Sequence, residues 1–188
     1  VVDLGVGNVA SVIFALERLG AKAHLTADAQ RIAEAERVIL PGVGAAGFTM
    51  RSLDAAGLRE AIVNFARPLL GICLGQQILF ERSEEGGAPC LGAIPGAVKK
   101  LEGGASRPIP HMGWSALEIT GRHPLTEGVS DGDYCYFVHS FACPVGGSEI
   151  ATADYGGRFA AMVAKDNFFG CQFHPERSGD VGARILSN

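Results

Sequence analysis

Three short stretches of the 188-residue chain combine residue types that can do chemistry at a spacing that lets them act together. The first is Gly71, Cys73 and Gly75 within PLLGICLGQQILF, residues 68–80. This is the thiol counterpart of the G-x-S-x-G elbow, in which the nucleophile sits on a strained strand-to-helix turn and its neighbours must be nearly absent. Glycine supplies that room. A thiol at a helix N-terminus also faces oriented backbone N–H groups, which favour the thiolate and so a better nucleophile at neutral pH. The competing reading is a buried cysteine acting as a small hydrophobe.

The second stretch is His174-Pro175-Glu176. Proline biases the residue before it towards extended backbone, and residues two apart on an extended chain share a side, so Glu176 is expected beside the His174 ring. Alone, HPE is more readily a solvated loop. Beside a cysteine elbow the balance reverses, because a thiol, a base and an orienting carboxylate make a Cys-His-Glu triad for acyl transfer. Such a base typically contributes ~10²–10⁴-fold in rate. The third stretch, Pro41-Gly42-Val43-Gly44, follows the apolar run RVIL (37–40). Its glycines leave backbone N–H groups uncovered. One such donor converging with the N–H of Leu74 would make an oxyanion hole, each donor being worth ~2.7–4 kcal/mol in the barrier. A plain turn is the alternative.

A rival pattern lies at Gly5, Gly7 and Ala10, which satisfy the G-x-G-x-x-A of dinucleotide-binding proteins. It is the weaker reading. The acidic residue that should end the second strand is replaced by Leu25 and Thr26, and Asp28 comes late.

The elements that must position these residues follow from hydrophobic periodicity. VVDL (1–4) reads as a strand, and Val9, Val12, Ile13, Leu16 and Leu19 recur at helical spacing up to Gly20. AKAHL (21–25) offers a second strand, Asp28 a helix cap, and RVIL a third strand. Leu58, Ile62 and Phe65 mark a helix ahead of the elbow strand, and Ile78, Leu79 and Phe80 the inward side of the helix after it. Strands alternating with helices predict an α/β fold: a doubly wound, mainly parallel sheet flanked by helices, with functional loops at the carboxyl ends of the strands. Residues 85–160 are rich in Gly and Pro and carry the short strands AVKKL, SALEI, YCYFV and EIATA, an antiparallel addition in the second half. A strand through Phe169, Cys171 and Phe173 leads to HPE, and a last helix runs from about residue 180 to 186.

Composition narrows the function classes. The length suits one domain over residues 1–188. A charge of −4 excludes general affinity for nucleic acid or anionic membrane. The five cysteines are odd in number and never in CxxC spacing, so neither a disulfide framework nor a zinc site is expected, and a reducing cytoplasm fits best. No cofactor or metal is called for. No apolar run approaches the ~18 residues of a membrane span, and the start of the chain lacks a signal peptide's basic segment. Without an initiator methionine, the chain is expected to be trimmed there.

Taken in order and spacing, the motifs resemble the class I (triad) glutamine amidotransferases. GICLGQQ and FHPE belong to that whole class. GVGN (5–8), PGVGAAGF (41–48), SEEGG (83–87), PHMGW (110–114), YFVHSF (136–141) and GCQFHPERSG (170–179) resemble the glutaminase subunits of imidazole glycerol phosphate synthases, so the likeness spans nearly the whole chain. The resemblance implies that Cys73 attacks the side-chain amide of glutamine, that His174 moves the protons and that Glu176 holds its ring. It implies substrate binding by Gly42, Gly44 and Gln77 with the backbone of His139, Ser140 and Phe141, and an oxyanion hole from the N–H groups of Val43 and Leu74. It implies a heterodimer with a cyclase subunit, a (βα)₈ barrel that receives the ammonia, and a partner face including Asn8, Trp114 and Arg177. Trp114 reads equally as a core aromatic. Three positions depart from the family pattern: Arg177 for lysine, Ser115 for asparagine and Gln76 for methionine, the last expected to matter little. An amidotransferase serving another synthase, and a non-catalytic module with the same residues, are the alternatives.

Overall fold

Helical periodicity between short apolar runs dictates the first half of the chain. The computed structural model describes residues 1–5, 9–42 and 44–188. In order these form α1 (Val9–Arg18), α2 (Ala29–Glu34), β1 (Val38–Gly42), α3 (Ala46–Ala55), α4 (Arg59–Val63), β2 (Leu69–Cys73) and α5 (Leu74–Ile78). α1 ends ahead of Gly20, whose φ of 78° suits glycine. α2 begins where the Asp28 carboxylate accepts from the N–H groups of Gln30 and Arg31. The second half is strand-rich: β3 (Phe80–Ser83), β4 (Ala88–Pro89), β5 (Ile94–Lys100), β6 (His111–Ala116), β7 (Glu118–Ile119), β8 (Tyr134–His139), β9 (Phe141–Ala142), β10 (Glu149–Asp154), β11 (Arg158–Lys165) and β12 (Phe168–Cys171), closed by α6 (Gly179–Ser187).

The main sheet has the order β1-β2-β12-β11-β10-β7. β2 pairs in parallel with β1 and β12, and from β12 outward the pairs are antiparallel. The result is the expected α/β architecture with a mixed sheet. Side chains of β2 alternate between its faces. Leu69 joins a core with Leu40, Leu53, Ile62 and Ile78, under α2 to α5, while Ile72 joins another with Val12, Phe137, Phe173 and Ile185, against α1 and α6. Helices therefore cover both faces.

Three local expectations are corrected. VVDL and AKAHL do not form strands; they meet in one bridge, Val2 to Thr26. Residues 21–25 are largely exposed, so little apolar burial holds them to a sheet, and Asp3 instead accepts from the N–H of Gly5. The helix after the elbow stops at Ile78. Leu79 and Phe80 stay buried, but the carbonyls of residues 78–80 accept from Leu91, Ile94 and Gly92 in place of a continued helix, and Phe80 opens β3.

The function-bearing consequence is that β1, β2 and β12 run the same way. Their carboxyl ends deliver Gly42, Cys73 and the segment leading to His174 to one edge of the sheet. Beside this edge, β6 and β8 form a two-stranded ribbon that pairs Met112 with Val138, Trp114 with Tyr136 and Ala116 with Tyr134.

Candidate active site

Cys73 sits at φ 55°, ψ −110°, outside the regions a side chain favours. Strain of this kind costs about 1–3 kcal/mol and persists only where the surroundings enforce it. Here close backbone packing does so. A Cβ on Gly75 would lie 1.8 Å from Leu40 O, one on Gly71 2.5 Å from Gly75 C, and one on Gly42 2.8 Å from Gly75 N. α5 thus begins directly against the strand backbones. It spans only five residues, so it offers the thiol the free N–H groups of its first turn rather than a long-helix dipole.

His174 Nδ1 and Glu176 Oε1 are 2.8 Å apart, with side chains only 13% and 5% exposed. The pairing is as expected, but its geometry is not that of an extended chain: Pro175–Arg177 form a 3₁₀ turn that folds the carboxylate back onto the ring. Two contacts pin the turn. Ser178 Oγ donates to His174 O at 2.7 Å and accepts from the N–H of Tyr136 at 3.0 Å, tying it to β8. Gly182 lets α6 pass close beneath it, since a Cβ there would lie 2.0 Å from Pro175 O.

Burial lowers the proton affinity of His174. Hydrogen bonds to Cys73 and Glu176, with the charges of both, outweigh it and push the pKa up to about 10. The ring is therefore an imidazolium at neutral pH. With its folded pKa above the unfolded one, its stabilising contribution is fully present below about pH 6.5 and is lost as pH rises through about 10. Since Nδ1 serves Glu176, Nε2 is the nitrogen left for the thiol.

A cavity of about 410 Å³ opens on this pair. It brings together Cys73, His174 and Glu176 with Gly42, Gly44, Leu74, Gln77, His139, Ser140 and Phe141, and its wall also includes Arg177, which was expected at the partner face. Val43 and Asn8, expected at the oxyanion hole and the partner face, lie outside the described residues. Trp114 does not line the cavity. It is 54% exposed on the ribbon, its ring inclined at 66° to that of Tyr136, which rules out the core-aromatic reading.

Gln172 and Glu85, which sequence reasoning missed, enter the site beside Gln77, which it named. Gln77 Nε2 donates to Phe141 O at 2.7 Å and Gln172 Oε1 at 3.0 Å. Both its amide hydrogens are committed, so what Gln77 can offer a ligand is a carbonyl oxygen. Gln172 Nε2 in turn donates to Cys73 Sγ at 3.7 Å. The signal for Gln172 was present: a polar residue inside the apolar run FFGCQF, two positions before the base. Glu85, in SEEGG, lines the cavity, and its Oε2 accepts from the N–H of Ala46 at 2.8 Å. His139 and His111 are neutral, burial lowering each to about 4. Gln76, expected to matter little, is fully buried, donates to Ala160 O and fills the space beside Gly170 that a Cβ would occupy.

Known proteins resemble this chain along its length. The family described as "Glutamine amidotransferase class-I" matches residues 1–188. The protein named "Imidazole glycerol phosphate synthase subunit HisH" of Colwellia psychrerythraea is 45% identical, with all of this chain and 90% of that protein covered. The protein of the same name from Xanthomonas campestris is 49% identical, covering all of this chain and 94% of its own length. Among solved structures, one titled "Crystal structure of glutamine amidotransferase" superposes with a TM-score of 0.75 at 18% identity over 99% of this chain and 95% of that one, a likeness of fold.

Proposed function

The chain belongs to the class-I glutamine amidotransferase family, and from that premise we propose that its sheet-edge cavity hydrolyses glutamine through a thioester on Cys73 and feeds the ammonia to a synthase partner. It is the glutaminase of an imidazole glycerol phosphate synthase, acting in histidine biosynthesis. The observation that carries the assignment of residues is the meeting of a strained Cys73 with the His174–Glu176 pair in one cavity.

The steps follow from the groups present. The Cys73 thiolate attacks the side-chain amide carbon of glutamine. The His174 imidazolium gives its proton to the departing nitrogen, ammonia leaves, and a γ-glutamyl thioester remains. His174, now neutral, takes a proton from water as that water adds to the thioester, and glutamate is released. Glu176 holds the ring and balances its charge. The developing oxyanion is received by the N–H of Leu74, with the N–H of Val43 as the second donor. The carboxylate of Glu85 and the Gln77 oxygen suit the α-ammonium group of the substrate, while Gly42 and Gly44 leave backbone within its reach.

The partner is a cyclase subunit with a (βα)₈ barrel, forming a heterodimer. The ribbon supports a docking face here: Met112, Trp114 and Tyr134 are 64%, 54% and 58% exposed on it, an apolar grouping of the kind interfaces cover. Val138, across from Met112, also lines the cavity, so the face adjoins the reacting centre. Arg177 and Asn8 belong to the same proposal. In that partner the ammonia reacts with a phosphoribulosyl-formimino carboxamide ribotide to give imidazole glycerol phosphate and an aminoimidazole carboxamide ribotide.

Steady-state glutamine hydrolysis by the purified chain, alone and with the cyclase and its ligand, tests this reading. Slow turnover alone and marked acceleration in the complex are expected. A rate indifferent to the cyclase would remove the synthase assignment, and the absence of turnover in the complex would remove the glutaminase.

A further inference from the structure

A directed chain of hydrogen bonds runs from the nucleophile into the wall of the cavity. Gln172 is fully buried; its Nε2 donates to Cys73 Sγ at 3.7 Å and its Oε1 accepts from Gln77 Nε2 at 3.0 Å. Gln77 Nε2 also donates to Phe141 O at 2.7 Å. That backbone oxygen has no hydrogen to give, so it decides how both amides face. Gln77 must present its NH₂ to it, Gln172 must present oxygen to that NH₂, and the NH₂ of Gln172 is left facing the sulfur.

The anchoring carbonyl is itself held. His139 Nδ1 donates to it at 2.8 Å, which makes His139 Nε2 the acceptor from His111 Nδ1 at 3.0 Å. His111 Nε2 then accepts from the hydroxyl of Ser115 at 2.9 Å. Both rings are neutral, so one set of tautomers satisfies every bond from Ser115 on β6 to Cys73.

We propose that Gln172 is a positioning residue for the acyl transfer: its amide, locked by Gln77 and the Phe141 carbonyl, orients the Cys73 sulfur and stabilises it as thiolate. The proposal rests on Cys73 being the nucleophile. An N–H donor favours the charged form of its acceptor. Against it stands Val138 O, 3.9 Å from Sγ, which accepts from the thiol and favours the neutral form. Loss of the amide donor therefore tips the sulfur towards S–H. The other ionisable groups around Cys73 are His174 and Glu176 on the 3₁₀ turn, Glu85 and Arg177 in the cavity wall, and the thiols of Cys143 and Cys171, which burial keeps protonated.

The test is the pH dependence of alkylation by iodoacetamide, read at Cys73 by peptide mass spectrometry, on the full chain and on Gln172→Met, Gln172→Glu and Gln172→Asn. In Gln172→Met the midpoint should rise by about one pH unit, about 1.4 kcal/mol. It should rise further in Gln172→Glu, whose carboxylate adds like charge beside the thiolate. Gln172→Asn keeps the amide but is too short to reach, and should behave as Gln172→Met; it carries the test should the methionine variant not fold. Midpoints unchanged from the parent in folded variants would overturn the proposal, since a side chain that only fills space does not move the ionisation of a neighbour. An unreactive Cys73 in the parent protein would instead overturn its assignment as nucleophile.

Discussion

Cys73→Ala should leave a folded protein whose glutamine hydrolysis, measured in the complex with the cyclase, falls by at least about 10⁴-fold in kcat. Removal of a nucleophile from a Ser-His-Asp triad costs about 10⁶-fold, the remainder coming from oriented binding and the oxyanion donors. Both remain here, because Leu74, Gln77 and Glu85 do not depend on the sulfur for their places. Folding should survive, since alanine removes one buried atom and the elbow backbone is enforced by its glycines rather than by the thiol. A thermal melt near that of the parent, alongside the lost turnover, separates a chemical defect from a structural one. Full activity in the variant would exclude Cys73 from the reaction.

Gly75→Ala should have the largest effect on stability. The added Cβ would sit 1.8 Å from Leu40 O, and neither partner can move: one is the first turn of α5 and the other the backbone of β1, paired along its length with β2. Relief requires α5 to lift off the sheet, which also pulls Leu74 and Ile78 from a core they share with Leu40 and Leu53. A loss above about 4 kcal/mol is expected. For a chain of this size that corresponds to a fall in Tm of about 8–16 °C. Gly44→Ala is the comparison. That glycine has φ 92° but nothing within 4 Å of the added carbon, so only backbone strain is charged to it and the drop should be much smaller. Equal melting temperatures for the two variants would contradict the close packing of the elbow.

The Cys73 elbow and the His174–Glu176 pair were legible in the sequence because their chemistry ties residue type to spacing. A nucleophile between two glycines, and a base two residues from a carboxylate, leave a short-range pattern. The parallel strands β1, β2 and β12 were legible as apolar runs, whereas VVDL and AKAHL read the same way and meet only in one bridge. What escaped was set by long-range contact. Gln77, Phe141 and Gln172 are separated by 64 and 95 positions where they bond, and His111 and His139 by 28. No local pattern announces such a chain, although a glutamine within an apolar strand was a clue. The end of α5 was misjudged because Leu79 and Phe80 are buried either way, and only the incoming carbonyl partners at Leu91, Gly92 and Ile94 show that the helix has given way to β3. The approach of Glu176 to His174 was anticipated while its cause was not. Proline did restrict His174, but the 3₁₀ turn after it brings the carboxylate round.

All five cysteines are free and buried, so a reagent that resembles glutamine has five buried thiols to choose from. Labelling the complex with a glutamine analogue carrying an electrophilic carbon at the amide position, followed by peptide mass analysis, reads that choice. Modification at Cys73 alone, in step with the loss of turnover and prevented by glutamine, is the expected result. Modification at Cys90, Cys135, Cys143 or Cys171 with turnover lost and Cys73 untouched would contradict the site described.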